Sequence, residues 1–310
     1  DDFEMEVASA RKESYSKKSR NPKVTFTTFE NDMSRRDFTI NAIAASILPD
    51  TFGEIYDPFS GIKDLQKGLI ITPLDPDDTF DDDPLRMLRA IRFATQLGFN
   101  IAPNLIESIT RKKDRIEIIS WERITNEIIK ILKTDKPSIG FYLLRDTGLL
   151  KIILPEFSIM GGVETIKKMS HKDVFIHTLQ VIDNAAKQTD KMEVRFAALV
   201  HDIAKPQTKK FIEKKGWTYH GHEIVGINLM KKLAKRMKLS NELTNYLCKL
   251  IKLHLRPISL AKEGVTDSAV RRVMVEAGKD IDDLIILCRA DITTKNPKKV
   301  KKYLNNFKKV

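Results

Sequence analysis

The pattern of hydrophobic and polar positions predicts a short region of mixed structure followed by a long helical region. Near the start, apolar and acidic side chains alternate, which is typical of a strand. Ser34, with Asp37 three residues later, resembles a capping box and predicts a helix start. The polar, basic segment of residues 11–31 predicts a loop with one short strand. Strands are predicted at residues 3–10, Lys23–Phe29, Ala45–Leu48 and Glu54–Tyr56.

From Asp83 onward the apolar positions recur with helical spacing almost to the end of the chain. Asp83 is a suitable N-cap and Pro84 a suitable first helical residue. Just before them, Asp75–Asp83 holds six aspartates in nine residues, which predicts a mostly solvated loop. Further helices are predicted at Thr125–Leu132, Ile139–Leu150, Val174–Ala186, Val194–His201, His222–Met237, Asn241–Leu253 and Asp280–Cys288.

These elements predict a mainly α protein with a small partial α+β head, a helical neck and a separate helical domain. Hydrophobic residues make up 42% and charged residues 31% of 310 positions, which is typical of a soluble globular protein. No apolar run approaches the roughly 20 residues that span a bilayer, so no membrane partner is expected. The two cysteines, Cys248 and Cys288, are read as reduced core residues of a cytoplasmic protein.

The net charge of +12, from 54 basic against 42 acidic residues, favours a polyanionic partner such as RNA. The last sixteen residues, 295–310, contain seven lysines and no acids. They could contact an RNA backbone or form the solvated face of a helix. The charge could equally reflect a lysine-rich proteome.

Arg86, Arg89 and Arg92 recur every three residues and form a row along one side of the predicted helix. The planar arginine fork suits phosphate or a base edge. An aspartate at the helix start can accept from a base amino group while Arg86 donates to ring acceptors. Because cytosine and adenine share that donor–acceptor order, one Asp/Arg pair could select both. The alternative is a capped helix with a solvated basic face.

Five short motifs occur in one order over about 90 residues, and together they resemble the class II tRNA nucleotidyltransferases, which are the CCA-adding enzymes and their poly(A) polymerase relatives. Each motif is weak alone, and the ordered set is specific. The motifs are Arg35-Arg36-Asp37, Asp57-Pro58-Phe59-Ser60-Gly61, Asp82-Asp83-Pro84-Leu85-Arg86, Leu97-Gly98-Phe99 and Glu122-Arg123-Ile124.

The resemblance implies a role for each matched position. Asp83 and Arg86 match the base-reading pair, and Glu6 matches a third catalytic carboxylate, although it could be a solvent-facing strand residue. Asp82 stands where the family commonly has glutamate. The remaining residues expected at the nucleotide, with Asp37 near the ribose, are Arg36, Asp37, Arg89 and Arg92.

The implied reaction is attack of a tRNA 3′-hydroxyl on the α-phosphate of CTP or ATP, assisted by Mg²⁺. The resemblance also implies a Gly-Gly loop and an Asp-x-Asp pair before Asp1. This chain alone is therefore expected not to add nucleotides. The implied domains are a partial nucleotidyltransferase head at residues 1–60, a neck that binds nucleotide and RNA at 61–160, and a helical domain at 161–310.

All six histidines lie between positions 171 and 254. Imidazoles and carboxylates gathered from separate helices suit a divalent transition metal of unassigned identity. His177, His201-Asp202 and Asp291 resemble the metal-binding signature of the HD phosphohydrolases, which implies an all-α HD domain. A second metal or a phosphate is expected at His222, His254 and Lys205. We expect the other two histidines to lie outside the site; they are His171 and His220.

Three hypotheses follow. The first is a tRNA nucleotidyltransferase that adds C and A, with an appended HD phosphohydrolase. The second is a metal-dependent phosphohydrolase acting on nucleotide or RNA-end phosphates, whose head only docks RNA. The third is an RNA-binding protein without turnover. A poly(A) polymerase shares the same head motifs, and the sequence assigns neither the HD substrate nor the oligomeric state.

Overall fold

The computed structural model describes residues 9–14, 23–167, 169–260, 266–294 and 296. Glu6, most of the predicted strand at 3–10 and nearly all of the lysine-rich segment at 295–310 lie outside the described residues. For residues 11–14 and 23–25 only the backbone is described.

The described residues form seventeen α-helices, and most of them belong to the part of the chain beyond Pro76. The helices are α1 Phe29–Ser34, α2 Gly61–Lys67, α3 Pro76–Asp82, α4 Leu85–Leu97, α5 Pro103–Lys112, α6 Trp121–Leu132, α7 Ser138–Asp146, α8 Leu149–Ile153, α9 Pro155–Ser158, α10 Val174–Ala186, α11 Met192–Val200, α12 Lys205–Thr208, α13 His222–Arg236, α14 Asn241–Leu253, α15 Leu255–Leu260, α16 Asp267–Ala277 and α17 Ile281–Ala290. Short 3-10 helices occur at Thr39–Asn41, Pro49–Thr51, Lys113–Ile118 and Gly278–Asp280.

The described strands are short and pair two by two. The antiparallel pairs are β1–β2, β3–β4, β7–β8 and β9–β10, and β5 pairs with β6 in parallel. The strands are β1 Arg11–Ser14, β2 Lys23–Phe26, β3 Ala44–Ala45, β4 Ile55–Tyr56, β5 Leu69–Ile70, β6 Asn100–Ile101, β7 Thr165–Ile166, β8 Met169–Ser170, β9 Lys210–Ile212 and β10 Gly216–Thr218.

The chain divides into two compact units, residues 1–124 with 146–149 and residues 125–145 with 150–310. Helix α4 lies in the core of the first unit, where Met87, Leu88 and Ile91 are fully buried. Asp83 accepts a hydrogen bond from the backbone N–H of Leu85 at 3.1 Å, which fixes the start of α4. The borders predicted at 60/61 and 160/161 stay predictions.

Helix α11 is the centre of the second unit and packs against α10, α14 and α17. Its residues from Val194 to Val200 are all buried, including Arg195. The Arg195 guanidinium donates to four backbone carbonyls and to Asp190, so its charge is satisfied inside the core. This packing fixes the carboxyl end of α11, where the His-Asp dipeptide follows.

The sequence pattern predicted the second unit well. Helices α10 and α14 have the predicted bounds, and α6, α11, α13 and α17 differ from prediction by a few residues at either end. The mainly α fold class is confirmed. None of the helices in the described part of the chain is long and apolar enough to cross a membrane.

Two predictions in the first unit were wrong. Helix α1 ends at Ser34 instead of beginning there, because Thr28 caps it and Asp37 accepts from Phe38 and Asn41 rather than capping a helix. The acidic cluster was expected to be mostly loop and instead contains helix α3. Asp75 caps that helix, and its acids pair with cations of Arg111, Lys112 and Arg115.

Candidate functional site

Six side chains of the second unit meet near the ends of five helices, α10, α11, α13, α14 and α17. His201, His254 and Asp291 each follow the last residue of a helix, respectively α11, α14 and α17. All six belong to elements whose packing is fixed by the core, so the side chains are positioned by rigid helices. The His–Asp cluster consists of His177, His201, Asp202, His222, His254 and Asp291.

Each histidine of the cluster is oriented through its Nδ1 atom. The Nδ1 atom of His201 lies 2.9 Å from the carbonyl oxygen of Ala198. The Nδ1 atoms of His222 and His254 each lie 2.7 Å from a backbone carbonyl oxygen, that of Tyr219 and that of Ile251. The Nδ1 atom of His177 lies 3.1 Å from the Thr293 hydroxyl. Because a carbonyl only accepts, Nδ1 of the first three carries the proton and Nε2 of the neutral ring is a free lone pair. The Nε2 atoms of all four rings approach aspartate oxygens.

One half of the cluster is formed by His177, His201 and Asp291. The His177 Nε2 atom lies 2.9 Å from Asp291 Oδ1, and His201 Nε2 lies 3.7 Å from the same oxygen. Asp202 Oδ2 is 3.1 Å from His201 Nε2 and 3.5 Å from His177 Nε2. These four are the predicted metal ligands, and the fold brings them together.

The other half is formed by His222, His254 and the same Asp202. Asp202 Oδ1 lies 3.4 Å from His222 Nε2 and 3.8 Å from His254 Nε2. The two Nε2 atoms are 3.3 Å apart. Asp202 therefore presents one oxygen to each half, which the linear motif did not reveal. Two facing lone pairs at this distance need a proton or a cation between them.

The charges of the cluster are strongly coupled. Burial alone would lower the pKa of His201, but the carboxylates of Asp202 and Asp291 raise it to about 10. Burial opposes ionisation of Asp202, yet His201 and the Lys205 ammonium hold the pKa of that carboxyl well below its usual range. Burial, reinforced by His201, lowers the pKa of His254 to about 4. A proton on His201 thus occupies the position that a cation would take.

The donor set fits a divalent transition metal. Asp202 and His201 are 1% exposed, and Asp202 Oδ1 and His201 Nε2 have no hydrogen-bond partner of good geometry among the described residues, whereas Asp202 Oδ2 pairs with the Lys205 ammonium. Buried polar atoms left in this way are costly unless an ion satisfies them. Imidazole nitrogens combined with carboxylate oxygens are a suitable donor set for a divalent metal.

A cavity of about 750 Å³ opens onto this cluster through His177, Asp291 and Lys205. Lys205 Nζ lies 2.5 Å from Asp202 Oδ2, which places a cation at the edge of the cluster. His171, expected outside the site, also lines the cavity, whereas His220 is exposed. The far wall includes Trp217, which sequence reasoning missed. A tryptophan inside a lysine-rich hairpin was the available signal.

In the first unit, a second cavity of about 740 Å³ is lined by most of the predicted nucleotide residues. Asp37 is 7% exposed and accepts from Arg89 Nε at 2.7 Å and from Asn41 at 3.0 Å. Arg36 lines the same cavity and pairs with Asp32 at 3.2 Å. Asp37 therefore organises the wall of the cavity and is largely engaged by protein groups.

The predicted base-reading pair, Asp83 and Arg86, also lines this cavity. Arg123 donates to Asp83 Oδ2 at 2.7 Å, and Arg86 donates to the Arg35 carbonyl at 2.6 Å. Arg123 was missed as a site residue although its Glu-Arg-Ile motif had been noted. The described lining does not include Arg92, which is 8% exposed and stacks on Phe93 at 3.8 Å.

The described part of the first unit brings no three histidine, cysteine, aspartate or glutamate ligands together; both such groups belong to the His–Asp cluster. Asp32, Asp37 and Asp83 instead pair with arginines. Glu6 lies outside the described residues.

The chain matches three protein families in sequence order. The poly A polymerase head domain matches residues 1–71, and the probable RNA- and SrmB-binding site of polymerase A matches residues 98–160. The HD domain matches residues 174–296. The last range contains the entire His–Asp cluster.

The chain is also similar to curated proteins named multifunctional CCA protein. The one from Psychromonas ingrahamii is 38% identical over 250 residues, which cover 78% of this chain and 58% of the relative. The one from Nitrosospira multiformis is 36% identical over 246 residues, covering 76% of this chain and 57% of the relative. The chain thus spans less than two thirds of the length of these relatives.

Solved structures of CCA-adding enzymes share the fold. An apo form matches with a TM-score of 0.65 at 21% identity, covering 97% of this chain and 64% of that chain. The Bacillus stearothermophilus enzyme in complex with CTP matches with a TM-score of 0.58 at 24% identity, covering 92% of this chain and 61% of that chain. The Thermotoga maritima enzyme complexed with tRNA matches with a TM-score of 0.57 at 21% identity, covering 90% of this chain and 61% of that chain.

Proposed function

Because the chain belongs to the family of the multifunctional CCA proteins, we propose that it serves in adding C and A to the 3′ end of tRNA from CTP and ATP. The proposed partners are tRNA, CTP and ATP, and the proposed location is the cytoplasm. We further propose residues 1–60 as a nucleotidyltransferase head, 61–160 as a neck that binds nucleotide and RNA, and 161–310 as the HD domain with the start of a tail.

The observation that carries this proposal is the shared cavity of Arg36, Asp83 and Arg86. Asp83 can accept from the exocyclic amino group of cytosine or adenine while Arg86 donates to the adjacent ring acceptor. Uracil and guanine present the reverse order and would face Asp83 with an acceptor. Both side chains now bind protein groups, so a base must displace Arg123 from Asp83 and the Arg35 carbonyl from Arg86.

Arg89 and Arg36 are proposed to hold the ribose and phosphates, with Asp37 fixing the position of Arg89. Arg92 is proposed to act by stacking on Phe93 in the cavity wall rather than by direct contact. Mg²⁺ is proposed as the metal ion for nucleotide addition, with Glu6 as one of the carboxylates that bind it.

The test is incorporation of labelled CTP and ATP onto a tRNA lacking its 3′-CCA, with UTP and GTP as controls. We expect binding of CTP and ATP in preference to UTP and GTP. Incorporation of A alone in long runs would favour the poly(A) polymerase alternative. Equal binding of all four nucleotides would contradict the Asp83/Arg86 assignment.

The geometry favours a second activity, and we propose that the His–Asp cluster is the site of a metal-dependent phosphohydrolase. The carrying observation is the convergence of two groups of possible metal ligands, one of His177, His201 and Asp291 and the other of Asp202, His222 and His254. His177, His201, Asp202 and Asp291 would hold one divalent metal. His222 and His254, with Asp202 shared between both halves, would hold a second metal or the phosphate.

The bound metal would supply an activated water for attack on phosphorus. The chain's own residues do the rest. The Nδ1 hydrogen bonds fix the imidazoles, which keeps the Nε2 lone pairs directed at the cluster. Lys205, at the border of cluster and cavity, neutralises phosphate charge. The proposed substrates are phosphates on nucleotides or RNA ends, including 2′,3′-cyclic phosphates.

The decisive variant is Asp202→Asn, assayed on 2′,3′-cyclic AMP and adenosine 2′-monophosphate with Mn²⁺, Co²⁺, Ni²⁺ or Zn²⁺. Hydrolysis should be lost because the amide carries no charge and one of its two atoms is a donor. Asp280→Asn is the control, since Asp280 is also buried, at 6% exposed, but pairs with Lys249 away from the cluster. Hydrolysis that survives Asp202→Asn would exclude this site.

A further inference from the structure

The cavity next to the His–Asp cluster is walled by two β-hairpins, β7–β8 and β9–β10. Strand β10 packs on β8, and ion pairs join the hairpins between Lys209 and Glu164 at 2.5 Å and between Lys167 and Glu213. The hairpins thus form one wall, here called the hairpin wall. The metal-ligand side of the same cavity is formed by His177 and Asp291.

Trp217 is held in the hairpin wall by four contacts, one of which is the Lys209 ammonium 5.3 Å from the centroid of its ring. Its Nε1 donates to the Met169 carbonyl at 3.0 Å, which ties β10 to β8. The His171 ring meets it edge-on at 5.0 Å, and Phe211 does so at 5.4 Å. The indole therefore has a fixed orientation while still lining the cavity. A tryptophan held in this way can bind a flat ligand without losing side-chain entropy.

The charge of the cavity is favourable for an anion. Lys172, Lys205 and Lys215 line it, and Lys205 lies between the His–Asp cluster and the ring of Tyr219, 5.6 Å from the ring centroid. Phosphate would sit at Lys205, whereas an apolar, planar group would sit at the aromatic wall. A nucleotide combines both chemistries in one molecule, since it joins a phosphate to an aromatic base.

We propose that Trp217 is a specificity-determining residue that stacks on the nucleobase of the phosphate ester hydrolysed at the His–Asp cluster. This proposal rests on the proposed phosphohydrolase and names its substrate class, a nucleotide phosphate with an intact base. Because every base has a flat face, stacking of this kind tolerates all four bases. The site therefore discriminates nucleotides from non-aromatic phosphate esters and does not discriminate among bases.

Binding can be tested without catalysis. The chain has two tryptophans, so Trp121→Phe leaves Trp217 as the single indole. Titration of that metal-free variant with adenosine 2′-monophosphate should quench its fluorescence in a saturable way, while ribose 5-phosphate and inorganic phosphate should not. Equal quenching by ribose 5-phosphate, or none by the nucleotide, would overturn the proposal.

The kinetic test compares Trp217→Leu with Trp217→Phe, using adenosine 2′-monophosphate and glycerol 2-phosphate as substrates. Leucine should raise KM for the nucleotide roughly tenfold, since base–aromatic stacking has about that effect, and phenylalanine should largely restore it. KM and kcat for glycerol 2-phosphate should be unchanged in both variants. A parallel loss with both substrates would make Trp217 a structural residue and refute the proposal.

A further substrate distinguishes RNA ends from free nucleotides as the ligand of this site. A short RNA with a terminal 2′-phosphate assigns the site to RNA ends if its KM is lower than that of the free nucleotide, and to free nucleotides if it is not. Both results keep Trp217 as the base contact. If the unaltered chain hydrolyses neither ester with any metal, the phosphohydrolase proposal fails, and the fluorescence titration still decides whether Trp217 binds a base.

Discussion

The cavity of the first unit and the His–Asp cluster of the second satisfy their charges in opposite ways. In the first cavity, Asp32, Asp37 and Asp83 each pair with an arginine of the same unit. In the cluster, the two carboxylates face imidazole Nε2 atoms. Arginines satisfy the carboxylates of the first cavity. In the cluster, Lys205 pairs with Asp202, but the facing imidazole nitrogens still need a proton or a metal ion between them.

This difference indicates how each site meets its ligand. A nucleotide entering the first cavity exchanges existing ion pairs and hydrogen bonds for new ones, so its net gain is modest and depends on matching donors and acceptors. A metal entering the cluster replaces a proton on His201 and relieves buried lone pairs. Binding there should be strong and coupled to stability, because the metal binds only the folded state.

The largest expected effect is the loss of metal binding in Asp202→Asn. One oxygen of Asp202 faces each half of the cluster, so a single substitution damages both. We expect metal affinity to fall by more than about 100-fold, since even outer-shell changes cost up to that much. The metal-dependent rise in Tm should also disappear. Calorimetric titration measures the affinity, and thermal denaturation with and without metal measures the rise in Tm, with Asp280→Asn as control. An unchanged affinity would contradict the shared-ligand geometry.

Metal affinity should also depend steeply on pH. The raised pKa of His201, about 10, keeps the ring protonated at neutral pH, and the metal must displace that proton. The apparent affinity should therefore rise about tenfold per pH unit below pH 10 for this one proton. The metal-free chain behaves oppositely: the stability from the His201–carboxylate contacts is full below the ordinary pKa of 6.5 and is lost as pH rises through 10.

The measurement is calorimetry between pH 6 and 8 in two buffers of different ionisation enthalpy, which counts the protons released. One proton per metal is expected for the half containing His201. Affinity that does not change with pH would show that the ring is already neutral, and the contrast between the two sites would then be smaller than the structure indicates.

The second unit was predictable from the sequence because local signals and tertiary packing agree there. Helices α10 and α14 have apolar stripes and side-chain caps from Asp173 and Ser240. The first unit was harder, since α3 is stabilised by cations that follow Asp77 and Asp81 by 31 to 34 residues. Such distant pairing leaves no periodic signal. In the second unit, helix α16 was not predicted.

The candidate sites show the same limit. The resemblance to the CCA-adding enzymes is confirmed by the family matches. The predicted ligand residues lie close together in the fold. The division into two halves with Asp202 between them depends on where helices separated by tens of residues end. The hairpin wall with Trp217 likewise depends on pairing between two hairpins. Neither arrangement could be deduced from spacing along the chain.

A smaller effect is expected from Asp37→Asn. The change removes the carboxylate that accepts from Arg89, Asn41 and the backbone of Phe38. Loss of a largely buried, charge-assisted network should lower the free energy of unfolding by about 2 kcal/mol. Urea denaturation measures it, with exposed Asp50→Asn as a control expected within about 0.5 kcal/mol. An unchanged free energy of unfolding would mean that the Asp37 contacts in the first cavity do not stabilise the fold.

The smallest effect is expected from Arg86→Lys, and it sharpens the contrast most directly. Arg86 can present two donors to a base edge, whereas lysine is a point charge that still neutralises phosphate. The overall affinity for nucleotides should change little, but preference for CTP over UTP should fall roughly tenfold, the usual value of one bidentate base contact. Competition binding measures this preference, and Arg111→Lys, outside the cavity, is the matched control. If preference and affinity fall together, Arg86 acts through charge alone, and the first cavity then resembles the cluster in depending on charge rather than on donor and acceptor order.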